Sequence, residues 1–215
     1  MQHSRTLAHE IAADVRQLID RGTYEPGAAI RQEEIAARLG VSRIPVREAL
    51  RLLEQEGVVV VHANRGAFVI EHDAGTVAEL FDIRLMLEAD LIARACGRVS
   101  AATFARLEII SARLAKTRDR SEWIELDEEF HFAIYAAAER QRTFELARTL
   151  RRSLNAYYLR YLTPKSRDRA WDDEHHAMVK ALRRRNATAA ATELERHLRG
   201  TQTLLIEAMR ERKSK

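Results

Sequence analysis

The stretch Gly40–Arg47 constrains the fold of this chain more than any other part of the sequence. It follows a predicted helix at Glu33–Leu39 and opens a second helix that runs to about Gln55. Gly40 suits the left-handed conformation that ends a helix, and Pro45 lies in a first turn, where no intrahelical N–H partner is lost. The stretch therefore predicts two helices joined by a tight turn, an arrangement that places the second helix in the major groove of DNA.

The side chains of this second helix divide into an apolar face and a basic face. The apolar face is formed at helical spacing by Val46, Leu50 and Leu53. The exposed face carries an arginine at every fourth residue, namely Arg43, Arg47 and Arg51. A guanidinium near a helix N-terminus can reach a phosphate or pair with O6 and N7 of guanine, so this stripe predicts DNA contacts. Ser42 is placed to cap the helix by accepting bonds from its first backbone N–H groups.

The residues that follow show a β pattern. Val58–Val61 is a short β-type run, His62–Gly66 is typical of a turn, and Ala67–Ile70 is the return strand. This predicts a two-stranded wing whose tip carries Asn64 and Arg65, within reach of the neighbouring minor groove. A third, amphipathic helix upstream would cover the pair with Leu7, Ile11, Val15, Leu18 and Ile19.

The segment Ala28–Ile70 resembles the winged helix-turn-helix of GntR-type bacterial transcription regulators. It reads AAIRQEEIAARLGVSRIPVREALRLLEQEGVVVVHANRGAFVI, with turn, recognition helix and wing at the offsets of that family. Some members place a basic residue where this chain has Glu33, and neighbouring Arg31 can supply a phosphate contact instead. The resemblance implies contacts with double-stranded DNA by Ser42, Arg43, Pro45, Arg47, Asn64 and Arg65, and we add Arg31 as a candidate phosphate contact.

Length and composition bound the domain organisation. The 215 residues can hold a DNA-binding domain at 1–72, a hinge at 73–75 and an effector-binding and dimerisation domain at 76–215. The net charge is +4, yet residues 1–72 hold nine arginines and ten acidic residues, so DNA affinity would depend on the local arginine stripe. The single cysteine, Cys96, excludes an intrachain disulfide. No stretch approaches the length of a membrane span, which together with the lone cysteine predicts a cytoplasmic protein without a membrane partner.

Residues 73–215 show helical patterns and no strand pattern. We predict helices at about 76–96, 101–117, 121–138, 142–161, 167–185 and 187–211. Short links between them imply an antiparallel bundle. The predicted fold class is therefore mainly α, with three helices and a two-stranded wing followed by an all-α bundle of six to seven helices.

Polar side chains interrupt the apolar stripes of three predicted helices. Asp127 and His131 lie four residues apart in one stripe, His175 lies in a second and His197 in a third. A single inward histidine is ordinarily a core residue satisfied by one hydrogen bond. Three of them with a carboxylate can instead share a cation, since burying each one unpaired costs roughly 1–3 kcal/mol. The spacing leaves both alternatives open, and imidazole with carboxylate suits zinc, nickel, cobalt or manganese.

Arg84 interrupts another apolar stripe, and Glu88 lies one turn beyond it. The stripe itself consists of Leu80, Leu87 and Leu91. Inward charges are usually paired, so one alternative is a buried Arg84–Glu88 pair that fixes the bundle. The other is a guanidinium fork offered to an anionic effector.

Two segments, LDEEFHFAIYAAA and EHHAMVKALRRRNATAAATELERHL, resemble the helical effector domain in the FadR-type branch of these regulators. The chain length and six predicted helices are closer to the VanR-like subset. Many members hold a divalent metal through an aspartate and three histidines, at positions that match Asp127, His131, His175 and His197. The resemblance implies a divalent metal cofactor, zinc first, and a small carboxylate effector held by Arg84, with Glu88 beside it.

These features predict a homodimeric transcription regulator, with repression favoured, that reads a palindromic operator and responds to a small carboxylate. One alternative is a metal-dependent enzyme acting on small organic acids. No residue is evidently poised as nucleophile or general base beyond the four candidate ligands, so we assign no catalytic residue. A second alternative is a structural DNA-binding protein whose histidines only pack.

Overall fold

The computed structural model describes residues 2–63, 65–163 and 168–213. The described chain divides into two compact units, the first comprising residues up to His72 together with Asn155–Arg160, and the second the remainder. Three helices and three strands make up residues 2–72 as described. In chain order these are α1 (Gln2–Asp20), β1 (Ala29–Ile30), α2 (Gln32–Leu39), α3 (Arg43–Gln55), β2 (Val59–His62) and β3 (Gly66–Val69).

The predicted turn between α2 and α3 forms at Gly40. This glycine has a φ of 66°, in the left-handed region, and its N–H bonds to the carbonyl of Ala36. Ser42 occupies the N-cap position of α3, but its side chain makes no capping hydrogen bond, so the predicted cap is wrong. Pro45 is buried in the first turn of α3, where its ring packs inside the unit.

The wing has one more strand than predicted. β1 pairs antiparallel with β3 through Ala29 opposite Phe68 and Ile30 opposite Ala67, which gives the sheet order β1–β3–β2. A two-residue strand shows no alternation of its own, so the sequence pattern could not reveal it. The core beneath the sheet is apolar and includes Ile30, Ile35, Val46, Ala49, Leu50, Leu53, Val59 and Val69.

The rest of the described chain is helical. The helices are α4 (Ala74–Ala95), α5 (Ala101–Leu114), α6 (Arg120–Ala136), α7 (Gln141–Arg152), α8 (Asn155–Tyr161), α9 (Asp168–Arg183) and α10 (Ala187–Lys213). Asp73 caps α4 by accepting a bond from the N–H of Thr76 at 2.7 Å. Residues 74 and 75, expected in the hinge, therefore lie in the first turn of α4. We find no helix in the described ranges with the length and apolarity needed to cross a membrane.

The predicted helix 142–161 is wrong, because it consists of two helices. α7 ends at Arg152, the Ser153 hydroxyl donates to the carbonyl of Leu150, and α8 begins at Asn155. Asn155–Arg160 belongs to the first unit rather than to the bundle. Because helical propensity continues across Ser153, the sequence pattern did not show that Asn155–Arg160 belongs to a different unit.

α8 contributes two specific interactions to the first unit. Ala156 is buried in the same apolar core as α1 and α3. The hydroxyl of Tyr157 donates to the carbonyl of Ile70 at 3.3 Å and accepts from the N–H of His72, just after the wing. The first unit is therefore completed by a segment that comes from the C-terminal half of the sequence.

We predict that Tyr157→Phe lowers the free energy of unfolding by about 1 kcal/mol, because it deletes both hydroxyl bonds and keeps the ring. Denaturant titration of the full chain would measure this change. Tyr24→Phe is the matched control, since in the described part of the chain the hydroxyl of Tyr24 makes no hydrogen bond. Equal stabilities of the two variants would contradict the assignment of α8 to the first unit.

Candidate functional site

Four polar side chains from three helices meet inside the second unit. Asp127 and His131 lie one turn apart on α6, His175 lies on α9 and His197 on α10. All four are buried, and one potential ligand atom from each lies within 4.8 Å of all the others. The structure therefore brings together the four residues that the interrupted apolar stripes singled out.

The atoms that face one another are one carboxylate oxygen and three imidazole nitrogens. Asp127 Oδ1 lies 3.3 Å from His175 Nε2, 3.7 Å from His131 Nε2 and 4.0 Å from His197 Nε2. Within the described residues, no hydrogen bond reaches Asp127 Oδ1, His131 Nε2 or His175 Nε2. Metal–ligand bonds of about 2.0–2.2 Å separate the ligands of one ion by about 3–4 Å. The three distances from Asp127 Oδ1 lie in this range, so they suit a small divalent cation shared by the carboxylate and the imidazoles.

Burial sets the protonation states that such an ion needs. Burial and the positive charge of Arg151 hold the pKa of His131 well below its usual value. Burial likewise lowers the pKa of His197 to about 4, although the hydrogen bond that its Nδ1 donates to Glu174 opposes this. Burial alone would raise the pKa of Asp127, but the guanidinium of Arg151, bonded to its Oδ2, holds that pKa well below its usual value. At neutral pH, His131 and His197 are thus neutral imidazoles and Asp127 is an ionised carboxylate.

A second layer of polar side chains surrounds the cluster. Tyr135 O–H donates to Glu88 Oε2 at 2.6 Å, and its oxygen lies 3.2 Å from His131 Nδ1. Glu174 Oε2 lies 3.1 Å from His197 Nδ1. In both His131 and His197, the other ring nitrogen, Nε2, faces Asp127. The imidazoles of α6 and α10 are therefore held through the nitrogen that does not face the cluster.

Arg151, near the end of α7, bridges two carboxylates. Its Nη2 donates to Asp127 Oδ2 at 2.5 Å and its Nη1 donates to Glu88 Oε2 at 2.7 Å. Sequence reasoning missed this residue, although Arg151 lies at helical spacing from the buried Ala147. It also missed Tyr135 as a polar contact, because the apolar pattern of α6 does not show which group the buried hydroxyl bonds.

The two residues predicted to bind an effector form a buried ion pair. Arg84 Nε donates to Glu88 Oε1 at 2.7 Å, and the side chains are 1% and 0% exposed. The Arg84 guanidinium also lies over the ring of Phe81 at 4.8 Å. Of the two alternatives for Arg84, the pair that fixes the bundle is thus present in this structure. His176, next to His175, is exposed, and its Nδ1 lies 2.7 Å from the carbonyl of Asp172.

The residues predicted to contact DNA lie in the first unit, most of them exposed. Arg43 is 69% exposed, and its Nη1 lies 2.8 Å from Glu33 Oε1. Arg31 lies 3.4 Å from Glu34 Oε1 and is also exposed. Solvent reaches the remaining members Ser42, Arg47 and Arg65 as well as the neighbouring Arg51. Asn64 lies outside the described residues.

Pro45 departs from that expectation. It is buried, so its ring stabilises the first turn of α3 and presents little surface to a DNA molecule. The Glu33–Arg43 ion pair also gives Glu33 a role that the sequence did not predict. An exposed pair of this kind contributes about 0.2–1 kcal/mol. A phosphate or a base can therefore readily replace Glu33 as the partner of Arg43.

Comparison with known proteins finds two families along the chain. Residues 7–69 match the bacterial regulatory proteins of the gntR family, and residues 79–200 match the FCD domain. The chain is 29% identical over 189 residues to the Nta operon transcriptional regulator of Aminobacter aminovorans, covering 87% of this chain and 89% of that protein. It is 28% identical over 224 residues to the Exu regulon transcriptional regulator of Escherichia coli K12, covering 94% and 85%.

Solved structures show the same fold. E. coli McbR/YncC matches with a TM-score of 0.85 at 22% identity, over 94% of this chain and 97% of that one. A putative transcriptional regulator GntR from Rhodococcus sp. RHA1 matches with a TM-score of 0.79 at 24% identity, over 94% and 98%. The FCD match spans more than half of the chain and begins ten residues after the end of the gntR match. The chain therefore belongs to the GntR family of bacterial regulatory proteins, in the group with an FCD domain, and is a transcriptional regulator rather than an enzyme.

Proposed function

We propose that this regulator is a repressor that binds a palindromic operator as a homodimer and releases it when a small carboxylate binds beside a divalent metal ion. Asp127, His131, His175 and His197 would hold the ion. The observation that carries this proposal is the set of buried ligand atoms without hydrogen bonds that surround Asp127 Oδ1. Burying such atoms unpaired costs roughly 1–3 kcal/mol each, and a shared cation removes that cost.

The ligand chemistry limits which ion fits. Three imidazoles and one carboxylate suit zinc, nickel, cobalt or manganese, and the absence of thiolate disfavours a soft ion such as Cu(I). We place zinc first. The bound ion would supply a concentrated positive charge that polarises and attracts an oxygen ligand.

The charges enclosed around the cluster support an anionic effector. The buried ionisable side chains that contact one another there are Arg84, Arg151, Glu88 and Asp127. In their ionised forms these four balance one another, so a divalent ion would add an excess of positive charge. Because an uncompensated buried charge is costly, an anionic ligand such as a carboxylate would offset that excess.

The same contacts refine the predicted role of Arg84. Both Arg84 and Arg151 are hydrogen-bonded to Glu88. An effector carboxylate would therefore meet either guanidinium only by sharing it with Glu88. Arg151 is the better placed of the two, since it also contacts Asp127, one of the proposed metal ligands.

The DNA-binding part of the proposal depends on α3 and the wing. Arg43, Arg47 and Arg51 are exposed on one face of α3, and Arg65 is exposed at the wing turn. In a dimer, two such helices about 34 Å apart would read the two half-sites of a palindrome.

Effector binding would change the positions of the two α3 helices through the chain connections between the units, at His72–Asp73, Leu154–Asn155 and Arg160–Tyr161. A coupling of about 1–3 kcal/mol would change operator affinity roughly 5–150-fold.

We predict that His175→Ala abolishes stoichiometric metal binding, whereas His176→Ala leaves it intact. The two histidines are adjacent on α9, but one is buried against Asp127 and the other is exposed. Metal content after dialysis and the chelator-induced shift in Tm would be measured for both variants. Retention of one metal ion per chain by His175→Ala would exclude the proposed centre.

For DNA binding, we predict that Arg47→Ala lowers affinity for a selected operator by about 1–3 kcal/mol, while the Tm stays unchanged because the side chain is exposed. Fluorescence anisotropy with duplexes selected from a random library against the wild-type protein provides the measurement. Arg21→Ala, which removes an exposed arginine outside α2, α3 and the wing, is the control. Equal affinities for the two variants would argue against α3 as the reading helix.

Small carboxylates should raise the Tm of the metal-loaded protein and weaken its binding to the operator. In the metal-free protein, small carboxylates should change neither the Tm nor the binding to the operator, since the excess positive charge is then missing. A thermal-shift screen of monocarboxylic acids, followed by anisotropy with the operator duplex, tests both statements. An acid that acts equally with and without metal would refute binding beside the ion.

A further inference from the structure

We propose that Tyr135 and Glu174 are positioning residues that fix the tautomers of His131 and His197, so that the Nε2 lone pair of each ring faces Asp127. This inference rests on the metal site proposed above and extends it. A neutral imidazole carries one proton, on either Nδ1 or Nε2, and only the unprotonated nitrogen can bind a metal. The contact made by the other nitrogen therefore decides whether a ring is ready to act as a ligand.

Tyr135 determines the proton position on His131 through the single proton of its hydroxyl. Tyr135 is fully buried, and its O–H donates to Glu88 Oε2 at 2.6 Å. With that proton committed, the oxygen can only accept from His131 Nδ1, which lies 3.2 Å away. His131 must then carry its proton on Nδ1, and its Nε2, 3.7 Å from Asp127 Oδ1, presents a lone pair.

Glu174 acts on His197 in a simpler way. Its Oε2 lies 3.1 Å from His197 Nδ1, and both side chains are buried. A carboxylate oxygen accepts hydrogen bonds, so at this distance His197 Nδ1 donates to Glu174. The Nε2 of His197 is thereby left without a proton on the side that faces Asp127 Oδ1 at 4.0 Å.

Glu88 connects this arrangement to the aspartate. Its Oε2 accepts from Tyr135 and also from Arg151, whose other nitrogen donates to Asp127 Oδ2. Two of the proposed ligands, His131 and Asp127, are therefore oriented through one buried carboxylate. Removing Tyr135 O–H would disturb the ring position and the charge network together, whereas removing the Glu174 carboxylate would take away the partner of His197 Nδ1.

The test measures zinc affinity by competition with a chromophoric chelator in four full-length variants. Tyr135→Phe and Glu174→Leu should bind zinc about 10–100-fold more weakly than the wild type, the range expected when a partner of a ligating histidine is lost. Glu174→Gln should recover most of the affinity, because its amide oxygen still accepts from Nδ1. Tyr24→Phe, in the first unit, should match the wild type.

The tautomers themselves can be measured in the wild-type protein without metal, by ¹⁵N chemical shifts of the histidine rings. We expect His131 and His197 to carry the proton on Nδ1, and His131 to lose that preference in Tyr135→Phe. Protonation on Nε2 in the metal-free wild type would overturn the inference, even if a variant fails to fold. If His175→Ala loses zinc but Tyr135→Phe and Glu174→Leu bind it normally, the metal site stands and the positioning role falls.

Discussion

The interior of the helical domain depends on how Asp127 divides its two oxygens. Oδ2 accepts from Arg151 at 2.5 Å, so the carboxylate keeps its charge although it is buried. Oδ1 receives no hydrogen bond from the described residues and faces three imidazoles. A buried carboxylate would ordinarily be satisfied on both sides. The residues around Asp127 are thus arranged for a ligand on one side only, which is the property expected of a metal centre rather than of a polar core.

The DNA-binding unit is assembled from two distant parts of the sequence. α8 supplies Ala156 to the apolar core, and the hydroxyl of Tyr157 bonds to backbone groups of Ile70 and His72. Arg151, which contacts Asp127, precedes α8 by only four residues. The proposed metal ligands are therefore joined to the DNA-binding unit by a short covalent path, in addition to the link at His72–Asp73. Of the three residues predicted as the hinge, Ala74 and Gly75 lie in the first turn of α4, which Asp73 caps.

Local patterns predicted the features that depend on neighbouring residues. The turn at Gly40, the recognition helix and the inward positions of Asp127, His131, His175 and His197 all follow from helical spacing and backbone preference. Features that depend on a distant partner were missed, including strand β1, the separate helix α8 and the contacts of Arg151, Tyr135 and Glu174. Periodicity tells which face of a helix is buried, but it does not tell which side chain of another helix lies opposite. Two side chains of a single turn show the same limit of sequence patterns. Ser42 at the N-cap position makes no capping hydrogen bond, and Pro45 is buried rather than exposed to DNA.

Glu88 explains why the proposed metal and the proposed effector would depend on each other. Arg151 and Arg84 both lower its pKa against the effect of burial, so it remains ionised between two guanidinium groups. Without an ion, these two arginines are balanced by Glu88 and Asp127, and an additional carboxylate would enter a site that has no charge to offer it. In the proposed function, a divalent ion held by Asp127 would weaken the attraction between Arg151 and that carboxylate, because the ion would compete for the same charge. The guanidinium would then turn part of its hydrogen-bonding capacity to a carboxylate ligand, and Arg151 would be the residue through which metal binding creates the proposed effector site.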